Sequence, residues 1–351
     1  MALCYLALLF LVLWKMEIRT GDNKKRECFS IVQAKAIQGI FVIFVMLSHF
    51  SSYVEFELSN ILDKLFVQIN NRVGQLMVVM FLFYSGYGIM NKIRKQPKEY
   101  LDNFWLHRFL PVYAKFFVCI LLFLILNICT GEIENYSLMD IVLSFVAWRS
   151  IGNSSWFMFA TFFLYIMIIV SFKTIKMDSL KKSLVSFTLF TLMYIMLFSK
   201  FLNKGEWWYN TILCFPFGMW FNFYIDKFES LMEKKYIPLV CGSSVLLLIL
   251  YLIQDKVQYA YCALAIVVVF VVLLVTFKIK IGNKILDFFG RHIFSIYMLQ
   301  RLTYILFGHV QMDKYLFLFV AFITTIVIAV SFDYFFALFY KRICRVVEKK
   351  I

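Results

Sequence analysis

Residues 34–54 read AKAIQGIFVIFVMLSHFSSYV, an apolar run as long as a membrane span. Lys35 and Gln38 open it, and His49 lies near its far end. At 100° per residue, the steps from Gln38 to His49 return to within about 20° of the same helix face and cover about 16 Å of rise. Lys35 sits one turn before Gln38. Gln38, Val42, Val45 or Met46, and His49 thus form one stripe with a hydrogen-bonding group at each end. An ionisable residue inside a span is costly, so by default it faces protein or water and points to function. A buried histidine held by a neighbouring helix fits the same pattern.

The rest of the chain has the same character. Its 351 residues are 62% hydrophobic and 16% charged, against about 25% charged in a soluble domain. Mean hydropathy is +0.80. The expected fold is all-α, a polytopic bundle of transmembrane helices, because the apolar runs are continuous rather than alternating as in a barrel. Runs of spanning or near-spanning length fall at 2–18, 36–54, 74–93, 110–130, 156–172, 184–200, 208–225, 237–253, 258–277, 286–307 and 315–340, eleven in all. Lys15 and Glu17 interrupt the first. It has no basic segment before it and no small-residue cleavage site after it, so it reads as a span rather than a signal peptide.

The net charge of +15 raises the question of nucleic acid. The placement of the charge answers it. Connections after odd-numbered spans, together with the C-terminal tail, hold 26 Lys and Arg, and those after even-numbered spans hold 7. The bias keeps its sign at every alternation. By the positive-inside rule the N-terminus is outside and the C-terminus cytoplasmic, in a cell (plasma) membrane, and the basic excess faces anionic lipid. Three segments follow: an extra N-terminal span and basic linker (1–33), a membrane domain (34–340) and a basic cytoplasmic tail (341–351). The eight cysteines are scattered without metal-ligand spacing and read as small apolar residues. No metal site is expected.

Four further stretches stand out. FLFYSGYG (81–88) interrupts the third span with small and polar residues. Such glycines serve close helix packing, or let a ligand approach. Arg108 opens the fourth span from the basic side, where arginine and free backbone N–H groups suit a phosphate. It equally suits a positive-inside anchor. Trp156 starts the fifth span at the boundary where an aromatic belt places tryptophan, with Trp148, Trp207 and Trp208 at the same level. Pro216 and Gly218 predict a kink in span seven.

These stretches together resemble the membrane acyltransferase 3 family. Residues 35–49 are similar to its K/R-G-I…V-V-L-x-H helix, and 82–87 to its F-x-x-S-G-Y/F segment. Trp156 and the residues after it resemble W-(Y/F)-(L/M)…L-x-Y, and 215–219 resembles F-x-x-G-M. FGRHIFSIYMLQRL (289–302) resembles L-G-x-x-S-(Y/F)-x-I-Y-L-x-H/Q, with Ser295, Tyr297 and Gln300 as its polar members. The resemblance covers 34–340, a ten-span core. Two places depart from it. Gln38 stands where many members have arginine, although Lys35 matches the basic position of another branch. Of an R-x-x-R pattern near the fourth span only Arg108 is clear.

The resemblance implies transfer of an acyl group, often acetyl, from cytoplasmic acyl-CoA to a sugar hydroxyl of an exported or surface polysaccharide. Acyl-CoA is then a co-substrate, with no bound cofactor. The partners are acyl-CoA, a glycan acceptor and the lipid bilayer, and nucleic acid is not among them. His49 becomes the catalytic residue, as base or as acyl carrier. Lys35, Gln38, Tyr84, Ser85, Gly86, Tyr87, Arg108 and Trp156 become donor- or substrate-binding residues, with Gln38, Tyr84 or Tyr87 as oxyanion donors. No G-x-S-x-G elbow supports a serine nucleophile. Two rival classes remain: a transporter of glycan, lipid or small solute, and a non-catalytic homologue, which the Gln38 departure keeps open.

Overall fold

The computed structural model describes residues 1–19, 29–174 and 179–348, with side chains through residue 340. Lys24, Lys25 and Arg26 of the linker, Lys176, and the basic side chains of the 341–351 tail lie outside the described residues.

The chain is almost entirely helical. Helix α1 (Leu3–Leu13) stops where Trp14 turns extended and Lys15 takes a positive φ. A two-residue strand β1 (Glu17–Ile18) then pairs antiparallel with β2 (Ile279–Lys280), a small ladder that the periodicity did not reveal. Ser30 starts α2 (Ile31–Phe50) by accepting from the Gln33 N–H at 3.3 Å, which satisfies one orphan donor of the first turn. Asn60 does the same for α3 (Ile61–Val73). That helix ends at Gly74, whose φ of +46° suits glycine. A 3₁₀ turn, Gly74–Val78, leads into α4 (Val79–Lys95). After the short α5 (Pro97–Asp102), a π-helical turn at Trp105–Phe109 runs straight into α6 (Leu110–Thr130). Pro111 lies in its first turn, directly after the π-helical turn.

The second half follows the same pattern with α7 (Leu138–Ser144), α8 (Ser155–Ile169), α9 (Leu180–Met196), α10 (Cys214–Phe223), α11 (Ile225–Lys234), α12 (Tyr236–Ile253) and α13 (Ala260–Lys278). It closes with α14 (Lys284–Arg291), α15 (Ile293–Gly308) and α16 (Lys314–Glu348). Among the described residues, 8 helical stretches are long and apolar enough to cross a membrane. They answer to eight of the expected runs. The runs 2–18, 208–225 and 286–307 instead hold shorter helices, of 11 residues in α1, 10 in α10, and 8 and 16 in α14 and α15. Eight of the eleven expected runs thus hold helices of full spanning length among the described residues, and three hold shorter ones. The expected tenth run breaks at His292, and the seventh begins with loop and 3₁₀ backbone before α10.

Polar contacts between connections sort onto two faces. On one, Lys173 pairs with Asp102 at 2.8 Å, Asn283 donates to Leu11 O at 2.8 Å, and Tyr340 donates to Leu106 O at 2.8 Å. On the other, Lys314 pairs with Asp63, and Lys200 donates to Gln258 at 2.9 Å. The first set joins connections rich in Lys and Arg and is called the basic face below. Side chains of α12 such as Val245, Leu248 and Leu252 are exposed in the isolated chain, as expected of a helix turned to lipid.

Two apolar cores form. One gathers α4, α8, α9, α10 and α13, and the other gathers α1, α2, α6, α15 and α16. Phe109, Val112 and Phe157 lean on both. Glycines set two close helix crossings. A Cβ on Gly86 would stand 3.0 Å from the Phe215 carbonyl carbon and nearer still to its oxygen, and one on Gly218 would stand 3.0 Å from the Phe83 carbonyl carbon. This reciprocal pair brings α4 and α10 backbone to backbone, the use of small residues expected inside a bilayer. Gly39 and Gly290 do the same for α2 and α14.

Candidate active site

A cavity of about 650 Å³ lies on the seam between the two cores. Helix α2 contributes Lys35 and Gln38, which fall one turn apart on the same face. Helix α4 contributes Tyr84, Ser85 and Tyr87, and the π-helical turn contributes Arg108. Six of the eight donor-site residues expected from sequence therefore line one space. The other two do not. Gly86 points the opposite way, into the α10 crossing. Trp156 packs beside Phe157, with ring centres 5.7 Å apart, and Phe157 is the one of the pair that faces the cavity. The open glycine of the segment is Gly88, which lines the cavity with nothing within 4 Å of a Cβ.

The π-helical turn aims Arg108. Such turns widen the helix by one residue and recur at functional sites. The guanidinium donates to Ser85 Oγ at 3.2 Å and lies 5.3 Å from the Tyr165 ring centre. Ser85 Oγ in turn is 3.4 Å from the Tyr165 hydroxyl. The Arg108 Nε is buried without a hydrogen-bond partner, so the fork keeps unused donor capacity. Lys92, His107 and Tyr100 complete the end nearest the basic face. The lining holds Lys35, Lys92 and Arg108 and no aspartate or glutamate. Such a space attracts an anion.

At its other end the cavity reaches Phe157 and Tyr297, whose rings are 5.1 Å apart. The His49 ring lies just beyond, 6.2 Å from that of Tyr297. Gln300, fully buried on α15, holds it. Its Nε2 is 3.0 Å from His49 Nδ1 and donates to Tyr297 O at 3.1 Å. Both readings of the deep histidine thus meet here: a neighbouring helix holds it, and it adjoins a cavity. The amide sets the tautomer. With Nε2 toward the ring, neutral His49 accepts at Nδ1 and carries its proton on its own Nε2. With the amide turned, Gln300 Oε1 accepts from Nδ1–H and leaves a lone pair at His49 Nε2. Gln300 Oε1 has no partner in the first arrangement. The two states therefore exchange one unsatisfied group for another.

A second polar cluster props the site. Asp333 of α16 accepts from Lys115 at 2.6 Å, meets His292 Nδ1 at 2.7 Å, and accepts from Ser295 Oγ at 2.7 Å. It ties α6 and α16 to the break between α14 and α15. Ile293 and Phe294, immediately after that break, line the cavity. Asp333 and Lys115 carry no sequence signal, because each is one charge in an apolar run with no local partner. Tyr165 has a partial signal: it falls where the helix after Trp156 resembles L-x-Y, although Phe163 stands in the leucine position.

A family model described as an acyltransferase domain matches residues 32–335. The chain belongs to the acyltransferase 3 family. No curated protein and no solved structure matches the chain. As an acyltransferase 3 domain it is a membrane acyltransferase. The half-buried His49 and the basic cavity of this domain therefore stand as its candidate catalytic and donor-binding elements.

Proposed function

We propose that this protein moves an acyl group, acetyl in the first instance, from cytoplasmic acyl-CoA to a hydroxyl of a surface or exported glycan. The observation carrying this reading is the cavity that opens among Lys35, Lys92 and Arg108 and ends one aromatic ring from His49. Its cations and lack of carboxylates suit the phosphates of a coenzyme thioester. The charge bias of the connections supports a plasma-membrane protein with the basic face in the cytoplasm, the N-terminus outside and the C-terminus inside. The donor then enters from the cytoplasm and the acceptor meets it near His49.

In the reaction, with the Gln300 amide turned so that its Oε1 accepts from His49 Nδ1–H, His49 Nε2 takes the acceptor hydroxyl proton as the oxygen attacks the thioester carbonyl carbon. The tetrahedral oxyanion forms, the carbon–sulfur bond breaks, and the imidazolium returns its proton to the thiolate. The products are the ester and free coenzyme thiol. Gln38, Tyr84 and Tyr87, which line the cavity, supply N–H and O–H donors for the oxyanion. Gln38 replaces the usual arginine by an uncharged donor, and Lys35 one turn away supplies the charge. Gly86 acts at second hand, by letting α10 come close enough to fix Ser85.

The test uses the full chain in nanodiscs with acetyl-CoA. The expected result is saturable binding of coenzyme A, weakened about tenfold by Arg108→Ala, as for loss of one charge-assisted pair, with unchanged thermal stability. Unchanged affinity in Arg108→Ala removes the arginine from the site. Absence of any coenzyme A binding or acetyl-CoA turnover overturns the reading. Analysis of envelope glycans with and without the protein then identifies the acceptor by the O-acyl group that is lost.

A further inference from the structure

A second cavity, of about 640 Å³, lies at the face opposite the basic one. It is built from the end of α3, the 3₁₀ turn after it, the segment leading to α10, and the α12–α13 connection. Its chemistry is unlike that of the first. Five of its side chains are carboxamides, Gln75 and Asn210 among them, and Glu206 and Asp255 add carboxylates against a single arginine. Trp207 is 51% exposed there and Tyr261 forms the wall behind it. Trp207 is thus turned to this cavity, whereas Trp208, its neighbour in sequence, is buried against Trp148 with ring centres 5.6 Å apart.

The cavity is fixed by its own bonds. The Gln75 N–H donates to the Tyr261 hydroxyl at 3.0 Å, and Asn210 Nδ2 donates to Glu206 at 3.4 Å. Gln75 Oε1 is buried and meets no protein donor. Carboxamides and carboxylates offer paired acceptors and donors in one plane, the complement of vicinal hydroxyls. An exposed indole offers an apolar face for the C–H side of a sugar ring. An excess of carboxylate over cation repels phosphate, so a coenzyme is not the ligand.

We infer that this cavity is a binding site for a neutral or amino-sugar oligosaccharide, separate from the basic cavity. The inference rests on the proposed transfer to a glycan and names where the acceptor chain is held. The position fits. Gly74 and Gln75 line the cavity, while Met77 and Val78 of the same turn are buried in one core with Met46 and Phe50 of α2. A single 3₁₀ turn therefore separates a sugar bound here from the helix end that carries His49. Binding energy gathered away from the reacting hydroxyl can then position it.

The test is equilibrium binding of the full chain in nanodiscs to a panel of defined neutral, amino-sugar and sialylated oligosaccharides. Wild type should bind at least one neutral or amino-sugar member. Trp207→Ala and Asp255→Asn should each weaken that binding about tenfold or more, while Arg108→Ala leaves it unchanged. Trp207→Ala and Asp255→Asn should keep wild-type coenzyme A binding, which shows that they fold. Binding of no oligosaccharide, preference for sialylated ones, or equal binding by the variants overturns the inference. Coenzyme A binding with no sugar binding refutes this site alone, whereas loss of coenzyme A binding in wild type refutes the proposed reaction.

Discussion

Alanine at Gly86 separates the two uses a glycine has in the SGYG segment. The added Cβ would sit 3.0 Å from the Phe215 carbonyl carbon, 3.2 Å from its Cδ1, and closer again to its oxygen. An ordinary carbon–oxygen contact needs roughly 1 Å more room than this crossing gives. The obstacle is backbone, so no rotamer change relieves it, and α4 and α10 must part along a contact that Gly218 also shapes. Overpacking costs about 1–3 kcal/mol when side chains can adjust. With backbone on both sides, Gly86→Ala should lie at or above the top of that range. Gly218→Ala opposes Phe83 at the same crossing. Once the helices have parted for one alanine the second meets less resistance, so the double variant should cost less than the sum. Gly88→Ala, with open space around it, is the control and should be close to neutral. Thermal unfolding in one detergent, followed by size-exclusion fluorescence, measures the four variants against wild type. Wild-type stability in Gly86→Ala, or strict additivity with Gly218→Ala, would refute the packing argument.

His49→Ala should lower turnover about 10²–10⁴-fold, the usual worth of a general base, with expression and helical content near wild type. His49→Gln keeps the hydrogen bond to Gln300 but cannot take a proton, so full activity in that variant defeats the catalytic assignment. Gln300→Glu should hold Nδ1–H and stabilise the imidazolium, which moves the acid limb of the rate–pH profile to higher pH; an unmoved limb removes Gln300 from control of the ring. Asp333→Ala strands Lys115, partly buried in the membrane domain, so it should destabilise far more than Asp102→Ala, whose partner Lys173 is 43% exposed and whose loss should cost about 0–1 kcal/mol. Equal stability of the two variants refutes the propping role. Cysteines placed at Asn135 and Lys98 in a cysteine-free background should label from outside and inside respectively; labelling from one side only overturns the orientation.

The sequence by itself determined the solvent. Continuous apolar runs fix helices in lipid, because a bilayer leaves backbone groups no other partners. The charge bias assigned each connection to a face, and contacts such as Lys173–Asp102 and Lys200–Gln258 join connections of one assignment. Helical period also put Lys35, Gln38 and His49 on one stripe of α2, since 3.6-residue spacing is a local property. Helix length was less legible. Window hydropathy cannot see that His292 interrupts a run or that residues before Cys214 are not α-helical. Only the tertiary structure decided which way each polar group faces. Gly86 and Gly88 are two residues apart, yet one meets a helix and the other a cavity, and only the crossing with α10 distinguishes them. Gln300 reaches His49 across 251 positions of sequence, and Asp333 reaches His292 across 41. Such pairs leave no periodic trace, because the partner that satisfies a buried polar group is chosen by packing in space rather than by spacing along the chain.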